Sequence, residues 1–153
     1  MLSFRRATIS DMLLYLEWRN EVSTRENSLS SELISEDTHQ KWFYEKVNSS
    51  DCLMLLFESD NTPCGQVRLD LIDLDSYQIS YSVAKDFRGL GLGKVILKIA
   101  LDECRKNHLN DCKFIAHVTR NNFASIKTLE SIGFQLDLKS ESALLTYKIY
   151  KLF

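Results

Sequence analysis

Three of the five glycines in this 153-residue chain fall at every second position between residues 89 and 93. A segment with the alternation of a β-strand precedes them, and apolar residues at helical spacing follow. The first amide N–H groups of a helix lack internal partners and carry the positive end of the helix dipole, and glycine lets a phosphate approach the backbone closely. The run therefore indicates either a cradle for a phosphorylated cofactor or a glycine-rich turn that begins a helix.

The spacing of this run excludes the two best-known phosphate loops. A dinucleotide fingerprint requires Gly-x-Gly-x-x-Gly, and a P-loop ends in Gly-Lys followed by Ser or Thr, whereas here Lys94 is followed by Val95. The pattern that fits is Arg-x-x-Gly-x-Gly, formed by Arg88, Gly91 and Gly93. Residues 88–93 are called the glycine loop below.

Composition limits the class of protein. The length is typical of one domain, and 44% hydrophobic and 26% charged residues are typical of a folded globular chain. A net charge of −2 disfavours nucleic acid as a partner, because binding to its phosphates needs a basic surface. The first residues lack the apolar region of a signal peptide, no apolar run could span a membrane, and the cysteines lack zinc-ligand spacing. We therefore expect one domain over residues 1–153, in the cytoplasm, with no metal and no membrane or nucleic-acid partner.

Hydrophobic periodicity predicts the element order β-α-α-β-β-β-α-β-α-β-β. Helices are predicted after Ser10 as an N-cap, near Ser35, at the glycine loop, and from Asn121 to a C-cap at Gly133. Residues 20–34 are polar and predict either a short broken helix or an ordered excursion. The predicted strands cover residues 2–9, 53–58, 65–74, 77–83, 114–118, 134–138 and 144–152.

A second motif begins about thirty residues after the glycine loop. Residues 118–126 read Val-x-x-x-Asn-x-x-Ser-Ile, and the helix that follows ends in Gly-Phe at 133–134. The two motifs and the element order resemble the GNAT acetyltransferase superfamily over nearly the whole chain. The resemblance implies an α/β (α+β) fold: a mixed, mostly antiparallel seven-stranded sheet flanked by about four helices, with a splay between strands 4 and 5. It also implies an acetyl-CoA-dependent N-acetyltransferase and, since members are often dimers, a homodimer.

The resemblance implies a donor site as well. Pantetheine would pair like an added strand with the edge near Val83, whose amide would also polarise the thioester carbonyl. Asn122 and Ser125 match positions that contact the pantetheine or the thiol, although Asn122 could simply cap its helix. The backbone amides that would hold the pyrophosphate belong to Arg88, Gly89, Leu90, Gly91, Leu92, Gly93 and Lys94.

For catalysis, His117 occupies a position where relatives similar to ribosomal-protein alanine acetyltransferases hold a carboxylate base, and an imidazole suits the same task. The alternative is a histidine hydrogen-bonded inside or beside the sheet. Many members place a proton-donating tyrosine seven residues after the motif asparagine, but this chain has Leu129 there. Tyr81, Tyr147 or Tyr150 could donate the proton instead, with Tyr81 as the named candidate, or the thiolate could leave with little help.

The acceptor region has a resemblance of its own. Trp-Arg-Asn at 18–20 and His-x-x-Trp-Phe at 39–43 are similar to the acetyltransferases that act on nucleotide-linked amino sugars in bacterial nonulosonic-acid pathways, notably pseudaminic acid. This implies a small-molecule amine as the acceptor, with arginines on the diphosphate and an aromatic ring on a base or sugar. Three alternatives stay open: the aromatic residues only pack helices on the sheet, the acceptor is a protein N-terminus, or the chain is a non-catalytic acyl-CoA-binding module. The candidate acceptor residues are Arg19, Arg25, His39, Trp42 and Arg68.

Overall fold

The computed structural model describes residues 1–107, 112–138 and 147–152. The strands of this part are β1 Leu2–Arg6, β2 Cys52–Ser59, β3 Thr62–Asp73, β4 Ser76–Val83, β5 Lys113–Thr119, β6 Gln135–Leu136 and β7 Tyr147–Leu152. Its α-helices are α1 Met12–Asn20, α2 Val22–Glu26, α3 Glu36–Asn48, α4 Leu92–Asn107 and α5 Phe123–Ile132. The predicted element order is therefore confirmed, with α2 as an additional short helix.

The strands form one sheet in the order β1-β2-β3-β4-β5-β7-β6. Every neighbouring pair is antiparallel except β4 and β5, which run parallel. Their register pairs Ser76–Ile79 with Lys113–Ala116 and goes no further, although β4 continues to Val83 and β5 to Thr119. The mixed, mostly antiparallel seven-stranded sheet and the splay between strands 4 and 5 are thus both confirmed.

Each face of the sheet buries a different core. Helices α4 and α5 cover the face that carries Phe57, Val67, Leu69 and Phe114, and α4 contributes Ile96 to the same cluster. Each such fully buried side chain contributes about 1.5–3 kcal/mol of hydrophobic free energy. Helices α1 and α3 cover β1 and β2 on the opposite face with a smaller cluster that is centred on Tyr15, Phe43, Met54 and Leu56.

The entry into α1 differs from the predicted one. Strand β1 ends at Arg6 rather than continuing to residue 9, and Ser10 lies inside a 3-10 turn, so the predicted Ser10 N-cap is wrong. Instead the carboxylate of Asp11 accepts from the backbone N–H of Thr8 at 2.8 Å. It also accepts from both terminal nitrogens of Arg5 at 2.8 Å, and this contact lowers the pKa of Asp11. A carboxylate three residues after Thr8 accepts from the free amide at the start of the helical segment, and it does so more strongly than a serine hydroxyl would.

The structure defines several helix and strand boundaries more closely than hydrophobic periodicity does. The polar segment 20–34 contains α2, so the described helices number five rather than about four. Helix α5 begins at Phe123 with Asn122 as its N-cap, and it ends at Gly133, which has φ +110. The strand that is predicted over residues 144–152 corresponds to β7, Tyr147–Leu152. Residues 144–146 lie outside the described residues. Within the described ranges no helix is long and apolar enough to span a bilayer.

Candidate active site

A cavity of about 550 Å³ opens where β4 and β5 separate. Its floor is the polar side of β3 and β4, and the segment from α1 to α3 forms its outer wall. The cavity therefore brings the predicted catalytic residues together with most of the predicted acceptor residues. The predicted site residues that line it are His117, Tyr81, Asn122, Ser125, Arg19, His39, Trp42 and Arg68.

The glycine loop lies beside this cavity and runs into the first turn of α4. Gly89 and Gly91 have φ values of 78 and 76, which is the left-handed region that glycine adopts most readily. A Cβ added to either residue would meet nothing within 4 Å, so both face open space. Gly93 differs, because an added Cβ would lie 3.3 Å from Cε2 of Tyr81. The first two glycines thus shape an open loop at a helix N-terminus, and the third lets α4 lie against β4.

The end of β4 turns backbone amides toward the splay. Ala84 N donates to Cys64 O at 2.8 Å, so alternation turns the amides of Tyr81 and Val83 away from β3 and toward the side that β5 has left. The carbonyl of Val83 accepts from Nε of Arg88 at 2.9 Å, which agrees with this direction. An extended ligand could therefore pair with the edge at Tyr81 and Val83.

A pair of hydroxyls links β4 to α5 at the cavity. Tyr81 Oη lies 3.0 Å from Ser125 Oγ. Burial raises the pKa of Tyr81 and the hydrogen bond to Ser125 opposes the shift, so the phenol keeps its proton at neutral pH. Leu129, one turn after Ser125 on α5, is fully buried and lines the same cavity. The phenol on β4 therefore reaches the helix face on which a tyrosine at 129 would have stood.

His117 is half-buried on β5 and lines the cavity. Burial lowers its pKa, which favours the neutral imidazole that can accept a proton. Its Nδ1 lies 3.4 Å from Nε2 of Gln78 on β4. The neighbouring Asn122 has a structural task, because its Oδ1 accepts from the backbone N–H of Ser125 at 3.2 Å and caps α5. A contact between Asn122 and the donor stays a prediction.

Arg19 is the most incompletely satisfied charged group of the cavity. Its Nη2 donates to Ser30 O at 3.0 Å, whereas its Nη1 is closed to solvent and has no hydrogen-bond partner in the described part of the chain. Burial, and secondarily the charge of Arg25, lowers the pKa of Arg19. Arg25 itself does not line the cavity; its Nε donates to Asn20 O and its Nη1 to Ser31 O. Among the described lining residues there is no aspartate or glutamate.

The three other predicted acceptor residues, His39, Trp42 and Arg68, lie next to one another. His39 is only 3% exposed, and its Nε2–H donates to Met12 O at 2.9 Å, so that polar atom is already engaged. The centroid of the Trp42 ring lies 5.6 Å from that of the His39 ring, and Cζ of Arg68 lies 4.8 Å from the Trp42 ring. Arg68 is held by Asp70 at 2.8 Å. Trp42 and Arg68 are thus positioned before any acceptor binds, and substrate contact by His39 stays a prediction.

Several lining residues were not predicted. Tyr15 on α1 is 6% exposed, and its hydroxyl lacks a hydrogen-bond partner within the described ranges. No sequence signal distinguishes it from an ordinary core tyrosine. The polar floor could have been found, because its residues alternate with the apolar ones of β3 and β4. These floor residues are Gln66, Gln78, Ser80 and Ser82. In the described part of the chain no cluster of His, Cys, Asp and Glu could hold a metal ion.

Comparisons with known proteins identify the family of this chain. The sequence model of the acetyltransferase (GNAT) family matches residues 13–134. An uncharacterized protein of Methanocaldococcus jannaschii is 24% identical over 148 residues, which cover 95% of this chain and 30% of that protein, so the chain spans less than a third of this curated relative.

Solved structures share the fold. A domain from Methanocaldococcus jannaschii superposes with a TM-score of 0.83 at 21% identity, over 99% of this chain and 97% of that one. Spermidine N-acetyltransferase from Vibrio cholerae, in complex with CoA and spermine, gives 0.82 at 18% identity, over 98% and 92%. A ribosomal L7/L12 alpha-N-protein acetyltransferase in complex with coenzyme A gives 0.79 at 18% identity, over 99% and 93%. The predicted membership of this family is thereby confirmed. With both motifs inside the matched residues, the chain belongs to the acetyltransferase (GNAT) family.

Proposed function

We propose that this chain moves the acetyl group of acetyl-CoA to the primary amine of a nucleotide-linked amino sugar. One observation carries the proposal: a single cavity joins His117 and Tyr81 at the splay to Arg19 and Trp42 in the outer wall. The first two residues have the chemistry of an acid–base pair, and the last two have the chemistry of a site for an anionic, ring-containing acceptor.

The donor half rests on the glycine loop and the β4 edge. Backbone N–H groups at the start of α4 would hold the pyrophosphate, and the open space beside Gly89 and Gly91 leaves room for it. The outward-facing amides of Tyr81 and Val83 would pair with pantetheine. The Val83 amide would then donate to the thioester oxygen as charge develops there, an effect worth about 3 kcal/mol in comparable sites.

The transfer needs two proton movements, and the cavity offers a group for each. The amine nitrogen attacks the thioester carbonyl carbon, and His117 accepts the proton that the nitrogen loses. The carbon–sulfur bond then breaks, and Tyr81 donates its phenolic proton to the departing thiolate while Ser125 orients the phenol. The acetylated amine and free coenzyme A leave, after which Tyr81 regains a proton from solvent or from protonated His117.

The acceptor half rests on charge. Arg19 lines the cavity, and an arginine fork matches the oxygens of a diphosphate well. The Trp42 ring lines the same cavity beside Arg68 and offers an aromatic contact to a base or a sugar. Because the described lining contains arginines but no carboxylate, it favours an anionic acceptor over a polyamine cation such as the one bound by the Vibrio cholerae relative.

The test is thiol release from acetyl-CoA with a panel of amines. We expect turnover with a UDP-linked amino sugar, and little with spermidine or with a peptide that has a free N-terminus. Turnover with the peptide alone would favour the alternative of a protein N-terminal acetyltransferase. Coenzyme A binding without turnover on any amine would favour the non-catalytic module. A homodimer and a cytoplasmic location stay predictions, the first of which sedimentation would test.

A further inference from the structure

Helix α2 forms part of the acceptor wall but has little apolar anchorage. Its five residues, Val22–Glu26, include no buried side chain, and a helix of this length is not stable by itself. Thr24 and residues 27–30 line the cavity directly. Polar contacts with other elements must therefore position this part of the wall.

The guanidinium of Arg88 supplies the main contacts. Its Nη1 donates to Ser23 Oγ at 2.6 Å, and its Nη2 donates to Glu21 Oε2 at 2.9 Å. Glu21 is the N-cap residue of α2, and its carboxylate also accepts from the hydroxyls of Ser23 and Thr24. Since Nε of Arg88 donates to Val83 O at 2.9 Å, the same side chain ties the N-terminus of α2 to the end of β4.

The ion pair between Arg88 and Glu21 stays charged in the neutral pH range, but it is weak enough for a bound ligand to strengthen or loosen it. Arg88 lowers the pKa of Glu21 to about 2, so the carboxylate remains ionised. The two side chains are 37% and 27% exposed, and partly exposed pairs change equilibria by no more than about fivefold. A restraint of this size matters for α2 because no apolar core holds that helix.

We propose that Arg88 is a positioning residue that couples donor binding to the order of the acceptor wall. The inference rests on the proposed function, in which the backbone of Arg88 belongs to the loop that holds the pyrophosphate of acetyl-CoA. An anion held there restrains the backbone of Arg88, and its side chain passes that restraint to Glu21 and α2. By linkage, a bound donor lowers the entropic cost of ordering residues 20–34 around the acceptor, so the acceptor binds better after the donor.

The test measures hydrogen exchange of residues 20–34 with and without saturating coenzyme A. The informative variant is Glu21→Gln, which removes the charge that Arg88 holds and leaves the glycine loop intact. The matched control is Glu26→Gln, which neutralises an exposed glutamate of the same helix. We expect coenzyme A to slow exchange at α2 by about threefold or more in the wild type and in Glu26→Gln, and to have no effect there in Glu21→Gln.

Calorimetry on the same samples distinguishes a failure of the coupling from a failure of the donor site. Coenzyme A affinity should stay within about twofold in all three proteins, because Glu21 does not belong to the phosphate loop. Binding of coenzyme A with no slowing in the wild type, or with equal slowing in Glu21→Gln, would overturn the coupling and leave the donor site standing. No binding of coenzyme A to the wild type would overturn the donor site and the coupling together.

Discussion

The phenolic oxygen of Tyr81 on β4 lies 3.0 Å from the hydroxyl of Ser125 on α5. This contact bridges the sheet and the helix at the cavity, one helical turn before the fully buried Leu129. The proposed proton donor is thus held by a strand and a helix together, and the proposed chemistry needs no tyrosine on α5. The departure of this chain from the family pattern at position 129 therefore has a local structural counterpart.

Replacing that phenol should slow the chemical step. We expect Tyr81→Phe to lower kcat by about 100-fold, the usual contribution of a positioned acid, with little change in coenzyme A affinity. Tyr44→Phe is the control, because Tyr44 is 61% exposed on α3 and does not line the cavity. The substitution therefore removes a hydroxyl outside the site. Steady-state kinetics and calorimetry supply both readouts. An unchanged kcat in Tyr81→Phe would exclude Tyr81 as the acid.

The glycine loop can be tested against a glycine with comparable backbone strain. Gly91→Ala should cost about 1–2 kcal/mol of unfolding free energy, because φ is +76, and should also weaken coenzyme A binding by about tenfold or more. Gly133→Ala, at φ +110 beyond α5, should show a similar loss of stability with normal coenzyme A affinity. Equal coenzyme A affinity in the two variants would argue against an anion site at the loop.

The proposed base predicts a particular pH profile. Because burial lowers the pKa of His117, the acid limb of kcat/KM should fall below the ordinary histidine value of about 6.5. His117→Ala should reduce kcat/KM by about 100-fold and remove that limb, with coenzyme A affinity preserved. Persistence of the limb in His117→Ala would assign it to another group.

His39 should make stability depend on pH. Burial lowers its folded-state pKa below the unfolded value of about 6.5, so the unfolded chain binds more protons as the solution becomes acidic. Its stabilising contribution is complete above that value and is lost as the pH falls through the folded pKa. His39→Gln keeps a donor for Met12 O, and its unfolding free energy should therefore vary less between about pH 7.5 and about pH 5. Chemical denaturation at each pH provides the measurement, and identical slopes would contradict this role.

Replacing Arg19 should weaken acceptor binding without lowering the stability of the fold. Arg19→Gln removes a half-buried guanidinium whose Nη1 has no hydrogen-bond partner in the described part of the chain, so we expect equal or higher unfolding free energy together with an acceptor KM raised by about tenfold or more. Arg6→Gln, an exposed residue of β1, is the control for the lost charge. A normal acceptor KM in Arg19→Gln would place the anionic group of the acceptor elsewhere.

The fold followed from local signals because these acted in agreement. Alternation in β3 and β4, the glycine loop and the Asn122 motif each point to one position in a known element order. The Ser10 cap failed because capping depends on which side chain reaches the amide, and Asp11 reached that of Thr8.

The remaining features of the site depend on contacts between distant parts of the chain. Arg88 and Glu21 are 67 positions apart, and no periodicity indicates that they meet. The same holds for His39, whose ring bonds to the backbone of Met12, 27 positions away. Arg88 and His39 are candidates from the sequence alone, whereas Glu21 is not, and only packing decides whether a polar atom is engaged by the protein or directed to a ligand.

The alternation of β3 and β4 also separates two kinds of constraint on sequence change. Side chains such as Val67 and Leu69 face the core under α4, where a change in volume lowers stability. Their neighbours Gln66, Ser80 and Ser82 face the cavity, where a change alters the surface that an acceptor would meet. Descendants of this chain could therefore acquire new acceptors through single substitutions on the cavity side, while the donor machinery and the core pass unchanged from one enzyme to the next.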